Sequence, residues 1–265
     1  MGGELDLDAY LSRIGEHGRP EPTLETLRRL HFAHATHIPF ENLDILLGQP
    51  IRIDLASLQD KLVARGRGGY CFEQNTLFAA ALQALGFEVS LLAARVRLGA
   101  SRVLPRTHMV LRVESEGAHW LADVGFGSAG PLSPVRFGDG EDCRQFAWTY
   151  RLVRADGAWV LRSLREGAWA DLYTFTLEPQ LPVDFEVTNH YVSTYPLSRF
   201  VRTLTVQRVA PEARYTLVDH ELSIERPDGT ERRALADDDE RLAVLAGTFG
   251  LDFPRDTRFR VPHPA

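Results

Sequence analysis

Cys71, His108 and Asp123 are the side chains in this 265-residue sequence whose types and settings could carry out nucleophilic chemistry. Cys71 follows a Gly-rich loop, Arg67-Gly68-Gly69-Tyr70, and precedes an apolar run, Thr76 to Leu85, that stops at Gly86. Such a run with a Gly stop predicts a helix with Cys71 at, or just inside, its N-terminus. There the unpaired N–H groups and the helix dipole favour a thiolate. Gly68 and Gly69 let the chain turn sharply and let a ligand approach the backbone. The Cys71 N–H is a candidate oxyanion donor. A lone cysteine before a helix is more often core than catalyst, so its partners decide between the two.

His108 lies 37 residues further on, in the strand-like run Thr107–Val113. Asp123 lies near the end of the return strand Ala118–Val124, after Glu114-Ser115-Glu116-Gly117. An even loop centred on Ser115–Glu116 pairs Glu114 with Gly117 and sets His108 directly opposite Asp123. Their Cβ atoms would then be about 4.5–5.5 Å apart on one face. A three-residue loop would slip the register and turn Asp123 away. In the even register the aspartate accepts an imidazole N–H and stabilises the imidazolium. His108 is then free to take the thiol proton of Cys71. A cysteine on a helix start, with His and Asp on adjacent strands, is the division of labour of papain-like and transglutaminase-like sites. Spacing alone leaves open a purely structural His–carboxylate contact.

The elements that must position these residues follow from periodicity. Residues 5–66 read as helical. Leu5 to Ile14 form one short amphipathic segment. Pro22-Thr23 opens a second that carries Leu24, Leu27, Leu30 and His31. Asp54 caps a third, Leu55 to about Ala64. Ile38-Pro39-Phe40-Glu41-Asn42-Leu43 reads as a loop. After Gly86 the pattern turns to strands at 89–96, 107–113, 118–124, 146–153, 159–164 and 172–177, a spacing that suggests a small antiparallel barrel or sandwich. Further strand-like runs at 200–209, 215–219 and 222–225 precede a helix from Glu240 to about Phe249, capped by Asp237-Asp238-Asp239. The expected division is a helical part at 1–87, a β part at 88–188 and a smaller α/β part at 189–265.

Composition narrows the function classes. A net charge of −6 argues against general nucleic-acid binding. No apolar run reaches the length of a membrane span, and the acidic N-terminal stretch lacks the pattern of a signal peptide, so a cytoplasmic protein without a membrane partner is expected. Two cysteines make no disulfide framework, and pairing of Cys71 with Cys143 is disfavoured. Lys61 is the only lysine among 30 basic residues, a skew that reads as the mark of a GC-rich bacterial genome. No Walker loop and no Gly-x-Gly-x-x-Gly occur. His31, His34 and His37 recur at three-residue steps, but such steps drift around a helix and His37 sits just before Pro39. Half-buried polar histidines fit this better than zinc, and no metal is expected.

The stretch Arg67-Gly68-Gly69-Tyr70-Cys71-Phe72-Glu73-Gln74-Asn75 resembles the Arg-Gly-Gly-x-Cys signature of the arylamine N-acetyltransferases. Ile38 to Leu43, Thr107-His108, Ala122-Asp123-Val124-Gly125-Phe126-Gly127 and Asn189 to Phe200 are similar to family segments in the same order. The resemblance implies an α+β fold: an N-terminal helical bundle, a central antiparallel β-barrel and a C-terminal α/β lid, with a Cys-His-Asp core at the junction of the first two. It implies ping-pong transfer from acetyl-CoA, through acetyl-Cys71, to an arylamine, arylhydrazine or arylhydroxylamine. His108 would accept the amine's proton and Asp123 would hold His108. Phe126 would wall the acceptor pocket with Phe40 and Phe200 beside it. Thr107, Gly127 and Gly130 would approach the CoA pantetheine or pyrophosphate, and Arg67 would pair with Glu41. Cys143 lies outside every matching segment and is expected to be dispensable.

Two other activities fit the same triad. A macrolactam-forming amide synthase of this fold would differ in its acyl donor, and a cysteine hydrolase or transglutaminase-like enzyme would work without CoA. A thiol-based sensor would need no turnover. The sequence leaves open the physiological acceptor, the acyl length and the oligomeric state.

Overall fold

The computed structural model describes residues 4–138 and 140–260. Residues 1–3 of the acidic N-terminal stretch, Asp139, and the last five residues of the C-terminal part lie outside the described residues. Among the described residues, no helix is long and apolar enough to cross a membrane.

The N-terminal helices are α1 (Leu7–Arg13), α2 (Leu24–His37), a single turn α3 (Leu43–Leu46), α4 (Leu55–Leu58) and α5 (Cys71–Ala84). Asp6, Thr23 and Asp54 cap α1, α2 and α4 through their side chains, each satisfying an otherwise orphaned N–H. The segment expected as one helix from Leu55 to Ala64 instead widens into a π-helical stretch, Gln59–Ala64. That stretch delivers Lys61 into the interior. Helix α5 is buried on nearly every side, which explains why its sequence shows little amphipathic contrast.

The β-strands form two antiparallel sheets. The larger contains β2 (Glu88–Val96), β3 (His108–Ser115), β4 (Ala118–Ala122), β5 (Val135–Arg136), β6 (Asp142–Gln145), β7 (Trp148–Ala155), β8 (Ala158–Arg165) and β9 (Ala168–Pro179). Its order is β5-β4-β3-β2-β9-β8-β7-β6, a nearly closed barrel. Helices α1, α2 and α5 share one apolar core with it, built on Tyr10, Leu27, Leu30, Phe78, Leu111 and Leu121 among others. The C-terminal part contains α6 (Pro182–Thr194), α7 (Arg199–Arg202), β10 (Thr205–Val209), β11 (Arg214–Val218), β12 (Glu221–Arg226), β13 (Gly229–Ala234) and α8 (Asp238–Phe249).

Two sequence expectations are corrected here. Phe200, expected to open a strand, sits in the turn α7, which follows helix α6. The loop at Ile38–Leu43 contains a strand, β1 (Phe40–Glu41), that pairs with β10 and completes a sheet ordered β1-β10-β11-β12-β13. The N-terminal part thus supplies an edge strand to the C-terminal sheet. Phe40 also bridges to Gly69 in the loop before Cys71.

That loop is held by a buried network of five charges. Arg67 bonds Glu41 Oε1 at 2.6 Å and Asp44 Oδ1 at 2.9 Å. Lys61 Nζ bridges Asp44 Oδ2 and Glu73 Oε1, both at 2.8 Å. The second oxygen of Glu73 accepts the Tyr70 N–H at 3.0 Å, and that of Glu41 accepts the Leu43 N–H at 2.7 Å. Three carboxylates against two cations leave one negative charge in excess. Burial therefore lifts Glu73 to about 7, against the opposing pull of Lys61. A compact ammonium on a flexible stem suits the Asp44–Glu73 bridge, whereas the planar fork of Arg67 suits the pair of acceptors it meets. The Arg67 guanidinium also lies 4.6 Å from the Phe253 ring centroid, tying the C-terminal tail to the loop.

Removing one partner of a buried pair strands the other's charge. Lys61→Met is therefore expected to lower the free energy of unfolding by about 3–5 kcal/mol, measured by urea denaturation. A loss below about 1 kcal/mol, the scale of an exposed pair, would contradict this role.

Candidate active site

Cys71 is the first residue of α5 and is buried. Its Sγ lies 3.8 Å from the carbonyl oxygen of Thr107, the residue before His108. Both cysteines are free. Cys143 is half-buried in β6, where its sulfur accepts from Gln145 Nε2 at 3.3 Å.

His108 and Asp123 meet through Nε2 and Oδ2 at 2.7 Å, though the route differs from the expected register. Ser115 pairs with Ala118, so the loop is Glu116–Gly117, centred one residue later than expected. Both loop residues take positive φ, 53° and 71°, as a type I′ turn requires. The loop remains even, so His108 and Asp123 keep the same face. The register moves by two, and Asp123 becomes a diagonal neighbour one residue past the end of β4. A diagonal pair on one face is still within reach of an imidazole.

Because Asp123 takes Nε2, Nδ1 is the nitrogen left for Cys71. Burial by itself would push His108 down. The Asp123 carboxylate and its hydrogen bond, with a smaller contribution from Cys71, outweigh it and lift His108 to about 10. Burial raises Asp123, but the opposing charge of His108 and the bonds from His108, Asn75 and Gly125 bring it below the usual carboxylate range. The imidazolium–carboxylate pair is thus the resting state at neutral pH.

Asp123 Oδ1 accepts from Asn75 Nδ2 and from the Gly125 N–H, both at 3.0 Å. Asn75 sits one turn after Cys71 on α5, also donates to the Met109 carbonyl at 2.8 Å, and accepts the Val124 N–H at 3.1 Å. The Asp123 N–H donates to His31 Nε2 at 3.1 Å. His31 must stay neutral to accept it, and burial lowers His31 to about 4 despite the nearby carboxylate. His34 is pushed by burial, and then by His31, to about 3, and its Nδ1 meets the Tyr10 hydroxyl at 2.9 Å. These two histidines serve the scaffold of the site. Among the described residues no cluster of His, Cys, Asp or Glu has the arrangement of a metal site.

Gly125 explains how α5 and the Asp123 segment come so close. A Cβ there would lie 2.7 Å from both the Cys71 Cα and Asn75 Nδ2. Any side chain at 125 would push α5 and Cys71 away from the Asp123 turn.

The site opens into a cavity of about 350 Å³ bordered by Cys71, Thr107, His108, Phe126, Phe40 and Phe200, among others. Phe126 stacks edge-on against His108 with ring centroids 5.0 Å apart, and Phe40 lies 5.8 Å from Phe200. Gly127 and Gly130 do not border this cavity. They face a narrow space behind it, where Gly127 packs against the Gln207 carboxamide and the Gly130 carbonyl accepts the Tyr150 hydroxyl at 2.6 Å. Ser128 and Ala129, between them, do border it. Sequence reasoning missed Tyr173, whose ring lies 5.0 Å from His108, and the roles of Asn75 and His31. Asn75 was detectable from its four-residue spacing to Cys71. Nothing local marks Tyr173 or His31.

The raised His108 value links the site to stability. The His108–Asp123 pair contributes fully below about pH 6.5, the ordinary histidine value, and that contribution is lost as pH rises toward about 10. The gap in melting temperature between the parent and Asp123→Asn is therefore expected to be largest near pH 6 and to shrink steadily toward pH 10. A gap that stays constant over that range would contradict the charged pair.

Comparison with known proteins agrees with this geometry. A family model described as N-acetyltransferase matches residues 23–258. The arylamine N-acetyltransferase of Mycolicibacterium smegmatis is 42% identical over 267 residues, covering 97% of each chain. The crystal structure of the Nocardia farcinica arylamine N-acetyltransferase superposes with a TM-score of 0.89 at 46% identity, covering 95% of this chain and 91% of that one. The Mycobacterium marinum arylamine N-acetyltransferase, solved in complex with CoA, superposes with a TM-score of 0.88 at 39% identity over 92% of both chains. With this coverage by both sequence and structure, the chain belongs to the arylamine N-acetyltransferase family.

Proposed function

We propose that this protein transfers an acetyl group from acetyl-CoA to an aromatic amine, hydrazine or hydroxylamine, with Cys71 carrying the acetyl group between the two half-reactions. The observation that carries this reading is the buried chain Asp123–His108, ending beside Cys71 at a cavity floor. In the resting pair His108 already holds the thiol proton of Cys71 as an imidazolium, and the Cys71 thiolate attacks the thioester carbonyl carbon. The N–H groups of the first turn of α5 have no helical carbonyl to bond, so that of Cys71 is positioned to stabilise the oxyanion. The tetrahedral adduct collapses, the C–S bond to CoA breaks, and the CoA sulfur leaves with the proton from His108. Acetyl-Cys71 remains.

The amine enters the space left by CoA, with its ring against Phe126, Phe40 and Phe200. Its nitrogen attacks the acetyl carbon as His108 Nδ1 takes its proton. Cleavage of the C–S bond to Cys71 releases the amide, and the proton returns to the Cys71 sulfur or stays on His108. Asp123 holds the imidazole ring in one orientation throughout and stabilises its charge. Thr107 borders the donor's path. A cavity of about 350 Å³ suits a single aromatic ring better than a long carrier-bound acyl chain. Two free cysteines and no disulfide among the described residues fit a reducing compartment, which supports a cytoplasmic location.

Initial rates at several fixed amine concentrations, with acetyl-CoA varied, test the order of events. The expected outcome is a family of parallel double-reciprocal lines, the signature of a covalent intermediate. Lines that intersect would mean direct transfer in a ternary complex and would overturn the Cys71 route.

A further inference from the structure

Helix α6 turns two unlike faces. Phe185, Asn189 and Val192 are buried against the body of the protein. The opposite face carries Val183, Val187 and Tyr191, which are 56%, 71% and 43% exposed. Their four-residue spacing lines them up as one ridge along the helix. Tyr195 continues the ridge, its ring stacked on that of Tyr191 with centroids 4.8 Å apart. Leu181 and Leu197, at the two ends, are exposed as well. Among the described residues, six of the eleven exposed large apolar side chains thus fall within 181–197. Exposed apolar residues scattered singly need no explanation, but a contiguous cluster marks an interaction surface.

The polar residues beside the ridge indicate what covers it. A helix that lies on a lipid surface carries Lys or Arg along its polar face. Residues 182–194 contain neither, and their ionisable side chains besides Tyr191 are Asp184, Glu186 and His190, all exposed. At 3.6 residues per turn, Glu186 and His190 fall on one flank of the ridge, and Asp184 and the Tyr191 hydroxyl on the other. Each flank therefore holds an acceptor toward the helix start and a donor toward its end. Two copies of α6 packed antiparallel, with a two-fold axis near Thr188, set the start of one helix against the end of the other. Glu186 then faces the partner's His190, Asp184 faces the partner's Tyr191, and the symmetry makes each contact twice. Ridges of four-residue spacing interdigitate in the commonest class of helix packing. The face is thus complementary to itself in both shape and charge.

We propose that the outward face of α6 is a homodimer interface, in which two copies of the helix pack antiparallel through the Val183–Val187–Tyr191 ridge. This goes beyond the transferase reading and does not depend on it. Helix α6 has 13 residues, a length of about 20 Å. The contact is therefore smaller than that of a standard stable complex, and a reversible dimer with a dissociation constant of roughly 1–100 µM is expected.

Sedimentation velocity of the full-length protein, over a concentration series that brackets this range, reads the association directly. The parent is expected to pass reversibly from monomer to dimer. Val187→Glu, an exposed change beside the two-fold axis that sets two carboxylates face to face, is expected to stay monomeric throughout and to keep the parent's melting temperature. His190→Glu places a carboxylate against the partner's Glu186 and is expected to weaken the dimer roughly tenfold or more. Adding Glu186→Lys to His190→Glu recreates the complementary pair with its signs exchanged and is expected to restore association, which a variant damaged in its fold would not do. A parent that remains monomeric across the series would overturn the proposal. So would a dimer that persists in Val187→Glu, because another face would then hold it. A double variant that associates no better than His190→Glu would overturn the antiparallel register. A monomeric parent that sediments with phosphatidylcholine vesicles would assign the face to a lipid surface and overturn the dimer.

Discussion

The carboxylate of Asp123 is the point on which this structure turns. It receives the imidazole of β3, the carboxamide of α5 and the backbone of its own turn, while its N–H is fixed to a neutral histidine of α2. Four segments distant in sequence thus agree on the position of one buried charge. An isolated carboxylate at that depth would be driven to its neutral form. Surrounded by a cation and two further donors it stays ionised, and its charge in turn keeps His108 protonated beside Cys71. Catalytic geometry and fold stability are consequences of the same satisfied anion.

A second buried polar assembly governs the other side of the nucleophile. The Glu41, Asp44, Lys61, Arg67 and Glu73 side chains lock the Cys71 loop against β1 and the first turn of α5. Tyr70, between that loop and α5, donates its hydroxyl to Asn189 of α6, whose Nδ2 reaches the Ile51 carbonyl at 3.0 Å. The first turn of α5 is therefore braced by ion pairs below and by α6 above. Such bracing is what a site needs to hold a thiolate in position without relying on a mobile loop. The cost is a set of buried charges that tolerate no loss of a partner, which accounts for a lysine in the interior of a chain that otherwise uses arginine.

Much of this was legible in the sequence, for identifiable reasons. The Gly stop after Leu85 and the Gly-rich entry to Cys71 fix the nucleophile on a helix start without tertiary information. The parity of the β3–β4 loop was readable because side chains alternate strictly along a strand, so His108 and Asp123 had to share a face. Its centre was not, because Glu116 adopts a left-handed conformation that Asn or Gly usually signals. Helix α6 escaped notice because its exposed face carries Val183, Val187 and Tyr191 while Asn189 is buried alongside Phe185 and Val192, which blurs the amphipathic pattern. The edge strand at Phe40–Glu41 is two residues long and exists only because β10 is there to pair with it. Lys61 stood out by its rarity, but its role depends on a π-helical widening that no local pattern announces.

The most direct measurement is the intact mass of the protein after brief exposure to acetyl-CoA without acceptor, with Cys71→Ala alongside. The account predicts a gain of one acetyl group, absent in the variant and discharged when an aromatic amine is added. An unmodified mass in the parent, with Cys71 still reactive toward a thiol reagent, would contradict it. So would acetylation that persists in Cys71→Ala.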